Sequence, residues 1–449
     1  MPDDVKRQLT KPPPREPRGV HEVSAELAEL ILPYGTGNTH PRFWGWVHGS
    51  GTAGGMLAEM AAAAMNANCG GRDHGAIHVE KCVIDWMAQW FDFPKKAAGG
   101  LLVTGSSMAN LLGLAAARNR AIKNVRRDGL NGARLTGYVS SEAHSCVTKA
   151  FEVLGLGRDA LRHICTDENF AMDIDRLRAE VKQDRADDLQ PFCVIATAGT
   201  VNTGASDDIA ALADFCRGED LWLHVDGAFG ALTILCPQLA PRLAGIAQAD
   251  SLAFDFHKWL HVPYDAGCLL VRDEATLLKT FADRAPYLAS DAALAGGEVW
   301  PCDLGLELSR GFRALKVWFT IQEHGTRVLG EAIARNCAQA QSLAAQIANR
   351  PLLRLMAPVP LQIVCCRYEP PGLDAKAADA LNAELVATLQ RRGIAAPSTC
   401  RIGGRLCIRV NITNHRTSDA DLTILVQAID AIGAELAAAA NMPSRRAAS

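Results

Sequence analysis

Between residues 101 and 272 the chain repeats one grammar: a short apolar run, a Gly/Ser/Thr/Asp junction, then a longer amphipathic segment. The runs at 100–104, 136–140, 161–165, 192–197, 221–225, 251–255 and 267–271 read as strands, with intervening helices such as 110–121 and 207–216. Strands this continuously apolar are buried on both faces. The expected fold class is therefore α/β, a mostly parallel sheet with helices on both sides. Ligands of such sheets sit beyond the carboxyl ends of the strands, where Ser106, Ser140, Thr200, Asp226 and His257 all fall.

Beyond residues 310–318 the chain reads as helical to about residue 348. It then alternates strands (361–367, 405–411) with helices (375–391, 419–437), as a smaller C-terminal α+β domain would. The reading is of three units: an N-terminal extension or arm over 1–60, a large domain over 61–314 and a small domain over 315–449. A length of 449 residues is ample for a large core. A net charge of −3 argues against a nucleic-acid surface or a polybasic membrane patch. The first residues are charged and proline-rich, unlike a signal peptide, and no run approaches the ~18 apolar residues of a membrane span. The expectation is a cytoplasmic protein with neither nucleic acid nor membrane as partner. The 14 cysteines are scattered through apolar segments without Cys-x-x-Cys spacing, as buried free thiols are.

Three junctions carry reactive groups. Thr104-Gly105-Ser106-Ser107 opens an apolar helix, so free backbone N–H groups and the positive end of the helix dipole meet there, as a phosphate site requires. Ser106 and Ser107 read equally well as N-cap residues. His144 follows a strand and is placed to stack on a flat ring, although a lone histidine is more often structural. Thr200, in Thr197-Ala198-Gly199-Thr200, is a candidate for a ring hydroxyl, or else a turn residue that caps its neighbours.

The deciding pair is Lys258 and Asp226. A lysine amine condenses with an aldehyde, and a carboxylate at a strand end keeps a pyridine nitrogen protonated, which is the equipment pyridoxal 5'-phosphate needs. The plain alternative for Asp226 is a buried salt bridge. His257 and His261, like His74 and His78, have metal-compatible spacing, but no third ligand or His-Glu-x-x-His pattern accompanies either pair, so no metal is assigned.

These residues together resemble the group II pyridoxal-phosphate-dependent amino acid decarboxylases, the fold type I family that includes aromatic-L-amino-acid and glutamate decarboxylases. The likeness runs from about residue 40 to 417. It rests on His40-Pro41-x-Phe43, Ser140-x-x-x-His144-Ser145, Thr197-x-Gly199-Thr200, His224-Val225-Asp226-x-Ala228, His257-Lys258-Trp259 and Arg310-x-x-Arg313-x-Leu315-Lys316-x-Trp318. The resemblance implies that Lys258 carries the cofactor and Asp226 pairs with the ring nitrogen. It places His144 and Ala228 on opposite faces of the ring, with Ser106, Ser107 and His257 on the phosphate. It further implies that Tyr287 is a loop tyrosine serving the partner subunit's active site and the returning proton, that Arg409 meets the substrate carboxylate, and that the protein is a homodimer with shared active sites. Trp46 and His48 are expected to line the substrate pocket. Where relatives often carry Asn-Pro before His-Lys, this chain has Asp255-Phe256, which sets a negative charge near the phosphate.

The expected reaction is decarboxylation of an L-amino acid to its amine, with an aromatic substrate favoured by the tryptophans near residue 45. The alternatives are an acidic or other non-aromatic substrate, an aldehyde synthase in which dioxygen intercepts the carbanion, and a scaffold that binds the cofactor without catalysis. Tyr287 argues against the synthase, which the family links to phenylalanine at that place.

Overall fold

The computed structural model describes residues 1–283 and 299–440. Among these residues twelve strands form two sheets. The larger comprises β2 (Gly99–Val103), β3 (Leu135–Ser140), β4 (Leu161–Ile164), β5 (Gln190–Thr197), β6 (Trp222–Asp226), β7 (Ser251–Asp255) and β8 (Gly267–Val271), in the order β2-β8-β7-β6-β5-β3-β4. The smaller comprises β1 (Phe43–Trp44), β9 (Leu353–Leu355), β10 (Ile363–Tyr368), β11 (Ala396–Ile402) and β12 (Arg405–Asn411), in the order β1-β11-β12-β10-β9.

The seven expected strands all join the larger sheet, and β3 to β7 pair in parallel. Only β8 runs antiparallel, to both β2 and β7. Because side chains alternate along a strand, each strand feeds two cores. Leu252 and Phe254 join the cluster on one face, whereas Ala253 joins the other, with Leu101, Ile195 and Leu269. The helix Ser106–Ala121 covers that second face, and Ala109, Leu112 and Ala116 are its buried contacts. The antiparallel β8 brings distant segments together: Gly267 pairs with Val103 on one side and Asp255 on the other. Its missing side chain matters, since a Cβ there would lie 2.5 Å from Gly105 Cα and 2.7 Å from Asp255 Oδ1.

The small sheet is roofed by the helices Ala375–Arg391 and Asp419–Ala440. Asp374 caps the first by accepting from Ala377 N at 2.8 Å. The residues 419–439 are the one described stretch long and apolar enough, by composition, to cross a bilayer, which corrects the expectation that no run comes near that length. Alanines supply much of that apolarity, and the helix lays Leu422, Leu425, Val426 and Ile429 into the small core. The long helix Arg313–Ala348 is broken at Gly325. The strip after His40 belongs to the small sheet. Trp44 is fully buried, with Nε1 donating to Thr417 Oγ1 at 3.3 Å, and Asn411 Nδ2 donates to the Trp46 carbonyl at 2.5 Å. That stitching carries Trp46 and Val47 to the edge of the larger sheet, where both line its cleft.

Candidate active site

At the carboxyl ends of the larger sheet lies a cleft of about 530 Å³. Ser106, Ser107, His144, Asp226, Ala228, His257, Lys258, Arg409 and Trp46, all singled out from the sequence, line it. Lys258 sits on the one-turn helix Phe256–Trp259, whose fully buried Phe256 and Trp259 anchor the turn and leave the lysine free to face the cleft. Its Nζ lies 3.0 Å from Asp255 Oδ2.

Asp226 ends β6, only 4% exposed. Its carboxylate accepts from Ala228 N at 3.2 Å and from Asn110 Nδ2 at 3.0 Å. Burial raises its pKa; the Lys258 charge and these two donors pull it back. Behind Asp226 runs a hydrogen-bond chain whose direction is forced. Trp222 Nε1 can only donate, to Ser251 Oγ at 2.8 Å, and a carboxylate can only accept. Asn110 Nδ2 therefore donates to Asp226, and to Cys146 Sγ at 3.2 Å, while its Oδ1 accepts from His224 Nε2, 2.7 Å away. His224 is wholly buried, which lowers its pKa to about 3, so the ring is neutral and its Nδ1 accepts from Ser251 Oγ at 2.7 Å. Every polar side-chain atom of this network has a partner, and the network ends on the Asp226 carboxylate.

His144 stands open on the cleft wall, its Nδ1 accepting from Cys146 N at 3.2 Å. Desolvation by the surrounding protein is the main cause of its lowered pKa, as it is for the deeper His257. His257 Nδ1 accepts from Ala266 N at 3.1 Å, and its ring lies 4.3 Å from that of Tyr264, a cleft residue the sequence reading did not single out. Arg409 is 8% exposed and aims into the cleft without a carboxylate partner among the described residues; burial lowers its pKa.

Two expected residues are not on the cleft. Thr200 is buried, and its hydroxyl bonds that of Thr203 at 2.9 Å. The turn at Gly199, with φ of 87°, sends Val201 and Thr197 to the wall instead, and a Cβ on Gly199 would strike the Phe229 ring at 2.8 Å. His48 is buried behind the strip, its Nδ1 bonded to the Gly49 carbonyl at 2.9 Å. Tyr287 lies outside the described residues. His78 pairs with Asp73 at 2.6 Å, and His261 lies off the cleft, its ring meeting that of His415 edge-on at 4.6 Å.

The family model described as the pyridoxal-dependent decarboxylase conserved domain matches residues 2–369. The chain belongs to the pyridoxal-dependent decarboxylases. An aromatic-L-amino-acid decarboxylase of Bacillus atrophaeus is 34% identical over 97% of this chain and 90% of its own length. A phenylacetaldehyde synthase of Arabidopsis thaliana is 27% identical over 92% and 86%. The crystal structure of Oryza sativa TDC with PLP and tryptamine superposes with a TM-score of 0.90 at 26% identity, covering 97% of this chain and 92% of that one. This decarboxylase accordingly has the fold type I architecture, takes pyridoxal 5'-phosphate as cofactor and is a carboxy-lyase acting on an amino acid.

Proposed function

We propose that this decarboxylase converts an aromatic L-amino acid to its amine and carbon dioxide, with the cofactor held between Lys258 and Asp226. The observation that carries the reading is that both residues line one cleft whose outer wall includes Trp46, Val47 and Tyr264. The donor set suits pyridoxal phosphate. Ser106 heads a 16-residue helix, His257 and Ser107 stand beside it, and the Thr197 hydroxyl on the cleft wall is a buried group without a hydrogen-bond partner among the described residues, a candidate for the ring hydroxyl. Bound there, the cofactor supplies a conjugated sink for the electron pair left when the carboxylate departs.

The chain's own residues do the rest. Lys258 holds the aldehyde carbon, and Asp226 keeps the pyridine nitrogen protonated. His144 and Ala228, both on the cleft wall, would flank the ring. Arg409 binds the substrate carboxylate, and its burial strengthens that pairing, since the guanidinium has no competing carboxylate among the described residues. Trp46 and Tyr264 receive the aromatic side chain, and Tyr287 returns a proton to Cα. The large unit over 61–314 holds the cofactor, with the 315–449 unit and the 1–60 arm completing the cleft.

A homodimer fits the surface. Val20, Leu32, Leu57 and Met60 of the N-terminal helices are each more than 60% exposed, apolar side chains that a second copy would cover. Fourteen free thiols favour the cytoplasm as its location.

The test is carbon dioxide release by the cofactor-loaded chain across the proteinogenic L-amino acids. Tryptophan, tyrosine or phenylalanine should lead; a lead by glutamate or aspartate would overturn the aromatic assignment. Lys258→Ala should lose both the imine absorbance and amine production. The aldehyde synthases among the relatives make product identity a second measurement, and aldehyde with ammonia in place of amine would favour that reading.

A further inference from the structure

Asp255 is an anion built into an anion site. Its Oδ1 accepts from Ser106 N and its Oδ2 from Ser106 Oγ, both at 2.6 Å. The same Oδ2 lies 3.0 Å from Lys258 Nζ and 3.7 Å from His257 Nε2. The carboxylate is 2% exposed and lies against the first turn of the helix Ser106–Ala121, where the helix dipole adds to the attraction. Gly267 leaves just enough room for it, as no side chain at that position would. Each donor that Ser106 can offer is thus engaged by a side chain of the same protein.

We propose that Asp255 and the phosphate of the cofactor compete for these donors, so that Asp255 sets how tightly this chain holds pyridoxal phosphate. The inference rests on the reading above, in which Ser106, Ser107 and His257 receive the phosphate. A phosphate and a carboxylate a few ångströms apart repel, and more strongly in a buried site than in water. The phosphate therefore gains its contacts only as the carboxylate yields the Ser106 N–H and hydroxyl. An asparagine at this position has no negative charge to displace. The penalty falls on the phosphorylated aldehyde and not on pyridoxal, which has the same ring and the same reaction with Lys258 but no phosphate.

The experiment compares the full-length wild type with Asp255→Asn, each stripped of cofactor and titrated at equilibrium with pyridoxal phosphate and separately with pyridoxal, read by imine absorbance and tryptophan fluorescence. Asp255→Asn should bind pyridoxal phosphate about tenfold or more tightly while pyridoxal changes far less, and inorganic phosphate should become the better competitor. Unchanged or weaker binding of pyridoxal phosphate overturns the proposal. So does equal tightening of both aldehydes, which would place the effect on the Lys258 ion pair alone. Asp255→Ser, measured alongside, guards against a defect peculiar to one variant, and a thermal melt verifies that both fold. A wild type that forms no imine with either aldehyde would sink the cofactor reading itself, whereas a normal wild type with an unchanged preference sinks only the competition.

Discussion

Asn110 donates its amide to the Asp226 carboxylate at 3.0 Å while its carbonyl accepts from the neutral His224 ring at 2.7 Å. One residue thereby ties the carboxylate to a fixed, uncharged scaffold reaching back to Trp222. Loss of a hydrogen bond to the charged form pushes a buried carboxyl pKa further up. Asn110→Ala should therefore move the acid limb of the kcat/KM pH profile to higher pH by about one unit, equivalent to about 1.4 kcal/mol. A lower rate with an unshifted profile would mean that Asn110 only supports the fold.

The Glu80–Arg310 pair makes a structural prediction. Arg310 bonds Glu80 at 2.5 and 3.1 Å and the carbonyls of Cys69 and Leu102 at 2.9 and 2.7 Å, with both residues under 5% exposed. Glu80 also accepts from Leu102 N at 3.1 Å, so the pair clamps the edge strand β2. Glu80→Ala strands a buried guanidinium and should cost about 3–5 kcal/mol in denaturant unfolding. Replacing both partners by apolar residues should cost less than this single change, and a double-mutant cycle measures the difference.

Much of this architecture is legible in the chain because strands buried on both faces must be almost wholly apolar. The seven runs of the larger sheet met that condition. The helix Ala375–Arg391 was legible to the residue through its aspartate cap. Strand direction leaves no such mark, so nothing in Gly267–Val271 announced that β8 runs against its neighbours. The helices Ala53–Met65 and Gly75–Trp90 carry weaker marks: the first is dominated by alanine, and the second opens at His74 without a side-chain cap. In the site, Thr197 and Thr200 share one strand end, and sequence carries no mark of which hydroxyl the backbone at Gly199 turns to the cleft. Asn110 could have been found. It is a lone amide in an otherwise apolar stretch, four residues after Ser106 and so on the same helical face.

Burial also dictates a response to pH. His224 and His261 both have pKa values lowered to about 3, with desolvation the largest cause. In the unfolded chain each titrates near ~6.5, so between these values the unfolded state binds the extra protons. The stability they allow is complete above pH ~6.5 and is lost as the pH falls towards 3. Among the described residues neither ring nitrogen of His261 has a hydrogen-bond partner, and its φ is 56°, which asparagine tolerates. His261→Asn should flatten the fall in melting temperature between pH 6.5 and pH 4. An unchanged slope would show that this ring does not contribute.

Tyr287 is proposed to return the proton to Cα, and its replacement separates the two product classes represented among the relatives. Without a proton donor, the carbon that has lost its carboxylate would be open to dioxygen. The substrate would then be consumed with one dioxygen and one water per turnover and yield aldehyde, carbon dioxide, ammonia and hydrogen peroxide. Tyr287→Phe should shift most of the product from amine to aldehyde, with oxygen uptake and peroxide in step and carbon dioxide release retained. Amine as the main product, at a rate near that of the wild type, would remove Tyr287 from the proton path. A fall in all products together, with no oxygen uptake, would instead assign it to substrate binding.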